Sequence, residues 1–223
     1  MKIAMLLFDK VTQLDFTGPQ EVLGRLPGAE VAFVAKTRDP VVSETKLAML
    51  PTATFADVPQ ADLLFVPGGF GQIAATADEA TRAWVTQVGT TAKWVTSACT
   101  GSLLLGACGL LHGYRAATHW AYMDLLPLVG ALPTDQRVVV DRNRITSGGV
   151  TAGIDMALQI VVETAGRAVA EAIALNLEYD PQPAHPGHPR SADAGLVAGI
   201  RERLEQRYAE RREQLVSLAR ISA

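Results

Sequence analysis

The sequence predicts an α/β protein with a doubly wound, mostly parallel sheet sandwiched by helices. Three observations carry that expectation. Apolar, β-branched runs of strand length recur between helical patterns. The runs are near-continuous instead of alternating, which marks strands covered on both faces. Helix-opening signals fall between them in the order a doubly wound sandwich requires.

Strands are expected over Ile3 to Phe8, Val31 to Ala35, Leu63 to Val66 and Trp94 to Thr96, then Val138 to Val140 and Ile145-Thr146. Thr17-Gly18-Pro19 offers a cap and an early-turn proline for a helix through Gln20, Glu21, Val22 and Leu23. Asp78-Glu79 opens a helix over Ala80 to Val88, and Thr151 opens another to about Glu163. Val41 to Met49 and Arg137 to Thr146 read as small hairpins added to the sheet, the second turning at Asp141-Arg142-Asn143. Residues 180–190 contain four prolines and cannot be helix or central strand, so they form a surface loop. Beyond it Leu196, Ile200, Leu204 and Tyr208 recur every fourth residue, the pattern of an amphipathic C-terminal helix that packs on its own domain or forms a homodimer contact. The whole, 1–223, is expected to be one domain, with 180–190 as the proline-rich loop and 191–223 as a helical extension.

With 223 residues, 48% hydrophobic and 19% charged, the composition is that of one globular domain. Twenty Lys and Arg against 23 Asp and Glu leave a net charge of −3, without the basic excess that binding to nucleic acid needs. The longest apolar run, Leu103 to Leu111, is about half of a membrane span. The apolar start stops at Asp9 with no small-residue cleavage site after it, so it reads as a first strand and the protein is expected to be soluble and cytoplasmic. Two cysteines, Cys99 and Cys108, cannot build a disulfide framework and lack CxxC spacing, which leaves room for a working thiol.

The strongest chemical signal is Thr96-Ser97-Ala98-Cys99-Thr100-Gly101-Ser102, where a strand runs into a helix through small residues with Cys99 at the turn. Such an elbow lifts a nucleophile to the carboxyl end of the sheet. A helix starting at Thr100 would aim its free N–H groups and positive dipole end at the sulfur, drawing the pKa of a thiol from ~8.5 toward roughly 3.5–7.5 and favouring thiolate. The alternative is a small buried hydrophobe, the reading that Cys108 receives within Leu103 to Leu111. A second turn, Pro67-Gly68-Gly69-Phe70-Gly71, also opens at the carboxyl edge. The amides of Gly68 and Gly69, with that of Thr100, are candidates for an oxyanion-type substrate pocket, or simply for a turn needing positive φ.

Asp15, among apolar neighbours after the first strand, is either a helix cap or the proton partner of Cys99. In the second case the pair shares a proton and titrates as a unit. From ordinary pKa values, placing that proton on the acid costs about 6 kcal/mol unless helix amides lower the thiol and burial raises the carboxyl. His119 either faces the site or is capped and packed. His185 and His188 have H-x-x-H spacing, but the prolines at 186 and 189 forbid the helix that would make them metal ligands.

Leu14 to Val22, Pro67-Gly68-Gly69, Ser97-Ala98-Cys99-Thr100-Gly101, Ala117-Thr118-His119-Trp120 and Ser147 to Asp155 together resemble the ThiJ/PfpI superfamily, with its flavodoxin-like, class I glutamine amidotransferase-like fold. The resemblance covers about residues 1–180. Within the superfamily the chain is most similar to the branch that hydrates isonitriles to N-substituted formamides. The resemblance implies Cys99 as nucleophile, Asp15 as its acidic partner, Thr100 after the elbow, a small-molecule isonitrile substrate, a homodimer, and no metal or organic cofactor. Thr100 stands where protease-like and amidotransferase relatives carry His, which speaks against peptide or glutamine hydrolysis. Two other implications stay open. Thr118-His119-Trp120 and Gly149-Val150-Thr151 also resemble the ligand-sensing half of AraC-type regulators, although the single amphipathic pattern after the loop leaves little room for a helix-turn-helix. A redox-responsive or glyoxalase-like thiol protein would also need only Cys99 and an acid.

Overall fold

A computed structural model describes residues 1–185 and 187–221. The chain opens with β1 (Lys2–Leu6), α1 (Gln13–Leu23), β2 (Glu30–Ala35) and three short pieces, β3 (Val41–Val42), β4 (Ala48–Met49) and β5 (Ala53–Thr54). It continues through β6 (Leu63–Val66), α2 (Gln72–Ala77), α3 (Glu79–Thr91), β7 (Trp94–Ser97) and α4 (Gly101–Ala107). Then come β8 (Arg115–Ala116), a 3-10 segment (Trp120–Val129), β9 (Leu132–Pro133), β10 (Val138–Asp141) and β11 (Arg144–Ser147). Three helices close it: α5 (Ala152–Ala165), α6 (Arg167–Asn176) and α7 (Ala194–Ile221).

The central sheet has the order β10-β11-β7-β6-β1-β2-β5, parallel throughout except for the β10-β11 hairpin. Leu63, Leu64, Phe65 and Val66 of β6 are wholly buried, as the continuous apolar run requires of a strand covered on both faces. One core layer joins the sheet to α3, α4 and the 3-10 segment through residues such as Trp84, Val88, Leu104 and Leu125. The other joins it to α1, α5 and α6 through Phe16, Val22, Met156 and Ile160. The fold is thus the expected doubly wound sandwich, with a C-terminal helix.

Several local expectations need correction. Helix α1 begins at Gln13 after Thr12, so Thr17-Gly18-Pro19 lies inside it rather than capping it. Those small residues serve a helix crossing: a Cβ on Gly18 would stand 2.9 Å from Ile154 Cγ1, and one on Gly153 would stand 3.0 Å from Pro19 Cγ. The β3-β4 hairpin forms a separate two-stranded sheet instead of extending the central one. Cys108 is the C-cap of α4, half-buried, because the helix ends at Ala107 and not at Leu111. Gly166, at φ 91°, separates α5 from α6, a helix the apolar pattern did not single out.

Of the proline-rich stretch 180–190, the described residues form neither helix nor strand, and Pro186 lies outside the described residues. The last two residues of the extension 191–223 lie outside them as well. Helix α7 packs on the molecule through Tyr208, whose hydroxyl donates to Asp124 Oδ2 at 2.7 Å, and through buried Arg211 and Leu215. Among the described residues no helix is long and apolar enough to cross a membrane.

Candidate functional site

Four neighbouring parallel strands, β1, β6, β7 and β11, end at the same edge of the sheet, so the segments after them meet there. Asp15 follows β1, Gly68 follows β6, Cys99 follows β7 and Gly148 to Val150 follow β11. Backbone bonds tie the segments together: Thr12 N–H donates to Gly68 O at 3.1 Å, Ala98 N–H to Val66 O at 3.2 Å and Cys99 N–H to Gly148 O at 3.0 Å.

Cys99 has φ 54°, a left-handed conformation that a side chain adopts only when its surroundings enforce it. This is the elbow the small residues announced. Gly101 is required beside it, since a Cβ there would collide with the carbonyl oxygens of Val66 and Pro67. Ser102 Oγ lies 3.0 Å from Ser97 Oγ and donates to Ala117 O at 2.6 Å, holding the turn from beneath. Thr118 Oγ1 donates to Cys99 O at 2.8 Å.

Asp15 sits in the first turn of α1, fully buried, and neither carboxylate oxygen has a protein hydrogen bond within ordinary distance. It caps nothing, which removes the first of the two readings offered for it. Gly68 is what lets Asp15 approach the elbow. A Cβ on Gly68 would stand 2.6 Å from Thr100 N, 2.7 Å from Thr100 Oγ1 and 2.9 Å from Asp15 Oδ2. Asp15, Gly68, Cys99 and Thr100 are therefore brought together.

Burial pushes the Asp15 carboxyl up to about 7; Cys99 and the Gly68 amide work against that rise, and the Glu44 charge works with it. For Cys99 burial works against the expected thiolate. Burial raises the thiol well above its ordinary value, the Asp15 charge adds to the rise, and the amides of Thr100 and Val150 only partly oppose it. The helix that was to supply the dipole has only seven residues and begins one position later than expected, at Gly101. Burial thus favours the protonated form of each member of the pair, and two such neighbouring acids share a proton.

The glycine turn also differs from its expected role. Gly69 N–H lies 3.1 Å from Thr100 Oγ1 and donates to it, and Gly71 N–H donates to Lys10 O, so neither amide is free for an oxyanion. Gly68 N–H is directed at Asp15. The amides aimed at the sulfur are those of Thr100 and Val150.

Three side chains that the sequence reading passed over complete the site. Glu44, in the β3-β4 turn, accepts from Thr12 Oγ1 at 2.9 Å and leaves Oε2 buried without a protein partner. Tyr122, from the 3-10 segment, is buried with its hydroxyl unpartnered. Arg211, from α7, is 1% exposed. Its signal was in the chain: the stripe Leu204, Tyr208, Leu215 passes through position 211, where an apolar residue is expected. His119 is capped and packed. Its Nδ1 accepts from Ala121 N–H at 3.3 Å, and burial, with the Arg211 charge, pushes it down to about 4, so the ring is neutral. A cleft of about 1000 Å³ runs beside Val150 and His119 toward Tyr179 and His185, but Cys99 and Asp15 are not in its wall. Among the described residues no group of three or more His, Cys, Asp or Glu side chains is arranged to hold a metal ion.

A flavodoxin-like sandwich carrying a cysteine elbow against a buried carboxyl is the class that fold and site define. The chain belongs to the DJ-1/PfpI family, whose model matches residues 1–163. It is 48% identical over 204 residues to the isonitrile hydratase of Pseudomonas putida, covering 91% of this chain and 90% of that protein. The crystal structure of a ThiJ/PfpI family protein from Pseudomonas syringae superposes with a TM-score of 0.92 at 44% identity, over 98% of this chain and 90% of that one. The chain is also 30% identical over 189 residues to the HTH-type transcriptional regulator GbdR of Pseudomonas aeruginosa, covering 80% of this chain but only 50% of the regulator.

Proposed function

We propose that this protein is an enzyme that hydrates isonitriles to N-substituted formamides, with Cys99 as nucleophile and Asp15 as general acid and base. The observation that carries the reading is the buried Cys99–Asp15 pair, a thiol facing a carboxyl whose pKa lies near working pH, where proton exchange in both directions is efficient. The 48% identity to an isonitrile hydratase over nine-tenths of both chains supports it. Thr100, in place of His, supports a hydratase over a peptidase.

Each step balances. The Cys99 thiol passes its proton to Asp15 as sulfur bonds the isonitrile carbon, and that carbon takes the proton back, giving a thioimidate. Water adds to the same carbon, its proton reaching nitrogen by way of Asp15. Collapse breaks the C–S bond, releases the formamide and returns a proton to sulfur. Nothing in this sequence calls for a cofactor. The Thr100 and Val150 amides offset the cost of developing anionic sulfur in a buried site.

The similarity to GbdR, at 30% identity over half of that regulator, is lower than that to the isonitrile hydratase, and the enzyme reading is preferred on that ground. We take residues 1–223 as one catalytic domain working in the cytoplasm, and as a homodimer, the assembly the family resemblance implies; light scattering tests the last point. The deciding experiment is incubation with a simple alkyl isonitrile. Formamide formation at a rate proportional to enzyme supports the assignment, and its absence over the pH range 6–9 overturns it.

A further inference from the structure

Hydration of a thioimidate puts an oxygen on the former isonitrile carbon, and Gly69 N–H does not meet it, being bonded to Thr100 Oγ1 at 3.1 Å. Other donors stand on the opposite, α7 side of the site. Arg211 Nε donates to Gln72 Oε1 and Nη2 to Gly69 O, each at 2.9 Å, while Nη1 is buried without a protein partner. Both fixed partners are neutral, and among the described residues Arg211 forms no ion pair. A buried cation lacking a carboxylate is costly to keep unless something anionic comes to it. The guanidinium lies 4.5 Å over the ring of Tyr122, whose hydroxyl is the second buried donor without a partner. Both side chains are within electrostatic reach of Cys99. The bond from Gly69 O to Arg211, with that from Gly69 N–H to Thr100 Oγ1, fixes the guanidinium relative to the residue that follows the nucleophile.

We propose that Arg211 Nη1 and Tyr122 Oη are the donor pair that binds this oxygen in the tetrahedral intermediate, an inference that rests on the isonitrile-hydrating reading. The pair acts after the covalent bond to Cys99 has formed. As water adds, the new C–O group carries partial negative charge. Two preorganised donors in a dry site stabilise it until the C–S bond breaks. Helix α7 would then be part of the active site rather than only a packing or assembly element.

The test measures steady-state formamide production from a simple alkyl isonitrile, together with the mass of the Cys99 peptide during turnover, in the unaltered protein, Tyr122→Phe and Arg211→Gln. Tyr122→Phe removes only a buried hydroxyl that bonds nothing in the protein, so it keeps the question open if Arg211→Gln does not fold. The expected result is turnover lowered on the order of 10²-fold, with the substrate adduct accumulating on Cys99 and forming at nearly the unaltered rate. A merely structural role would slow adduct formation and hydrolysis together. Variants that show no accumulated adduct, or whose adduct forms as slowly as they turn over, overturn the proposal. If the unaltered protein makes neither adduct nor formamide, it is the isonitrile reading itself that fails.

Discussion

Gly68 and Asp15 approach so closely that a Cβ on the glycine would stand 2.9 Å from the carboxylate Oδ2. The same methyl would press on Thr100 N and Oγ1 at 2.6 and 2.7 Å. Gly68→Ala therefore has to push the acid away from the elbow, and a misplacement of about 1 Å costs on the order of 10²-fold in rate. The expected outcome is a folded protein, by circular dichroism, with turnover down by that order. Turnover near the unaltered rate would mean that Asp15 need not sit where it does.

Asp15→Asn tests the acid in two ways. Formamide production should fall at least as far as in Gly68→Ala, because an amide cannot exchange the proton. Stability should move the other way at high pH. The folded carboxyl titrates near 7 and the unfolded one near 3.8, so between those values the native state binds the extra proton, and stability falls as pH rises. Asn carries no charge to bury. Above pH 7 the variant should be more stable than the unaltered protein by up to about 4 kcal/mol, with the difference shrinking toward pH 4. Urea unfolding at pH 4.5 and 8 checks this, and parallel pH curves for the two proteins would refute it.

The two thiols should part company. Cys99→Ala is expected to abolish formamide production. Cys108→Ala, at the half-buried C-cap of α4, should leave it nearly unchanged, since burial holds that thiol up at about 11 and its sulfur donates only to Arg82 O. Equal losses in both variants, with lowered melting temperatures, would point to folding and not to chemistry.

Asp78 provides a control away from the site. It caps α3 by accepting from Thr81 N–H at 2.9 Å and Thr81 Oγ1 at 2.7 Å, and Lys36, first among its partners, helps hold its carboxyl down at about 2. Asp78→Ala should cost about 1 kcal/mol of stability near neutral pH and leave turnover per folded molecule unchanged. Because the folded pKa is depressed, the difference between the two proteins should vanish as pH falls from about 4 to about 2. A stability loss that persists at pH 2 would count against the cap as its source.

The site was half legible in the chain. Cys99, Thr100 and Gly101 lie together, so one strand-to-helix turn displays them, and the steric need for Gly101 is local. Asp15 could be named but not placed, because Thr17-Gly18-Pro19 reads as a helix opening, whereas those residues lie inside α1 and pack against Ile154 and Gly153. Glu44 and Tyr122 were out of reach, and Arg211 showed only as a charged residue on an apolar stripe, since the three are far apart in the chain and meet only in the folded protein.

The sequence by itself determined the layers and the nucleophile: continuous β-branched runs must be buried on both faces, and small residues about a cysteine permit one sharp turn. Only the tertiary structure decided how heavily burial weighs on the pair and where charge lies around it. The short helix α4 favours a thiolate, yet burial of Cys99 beside an equally buried carboxyl outweighs it, and burial depends on what every other element covers.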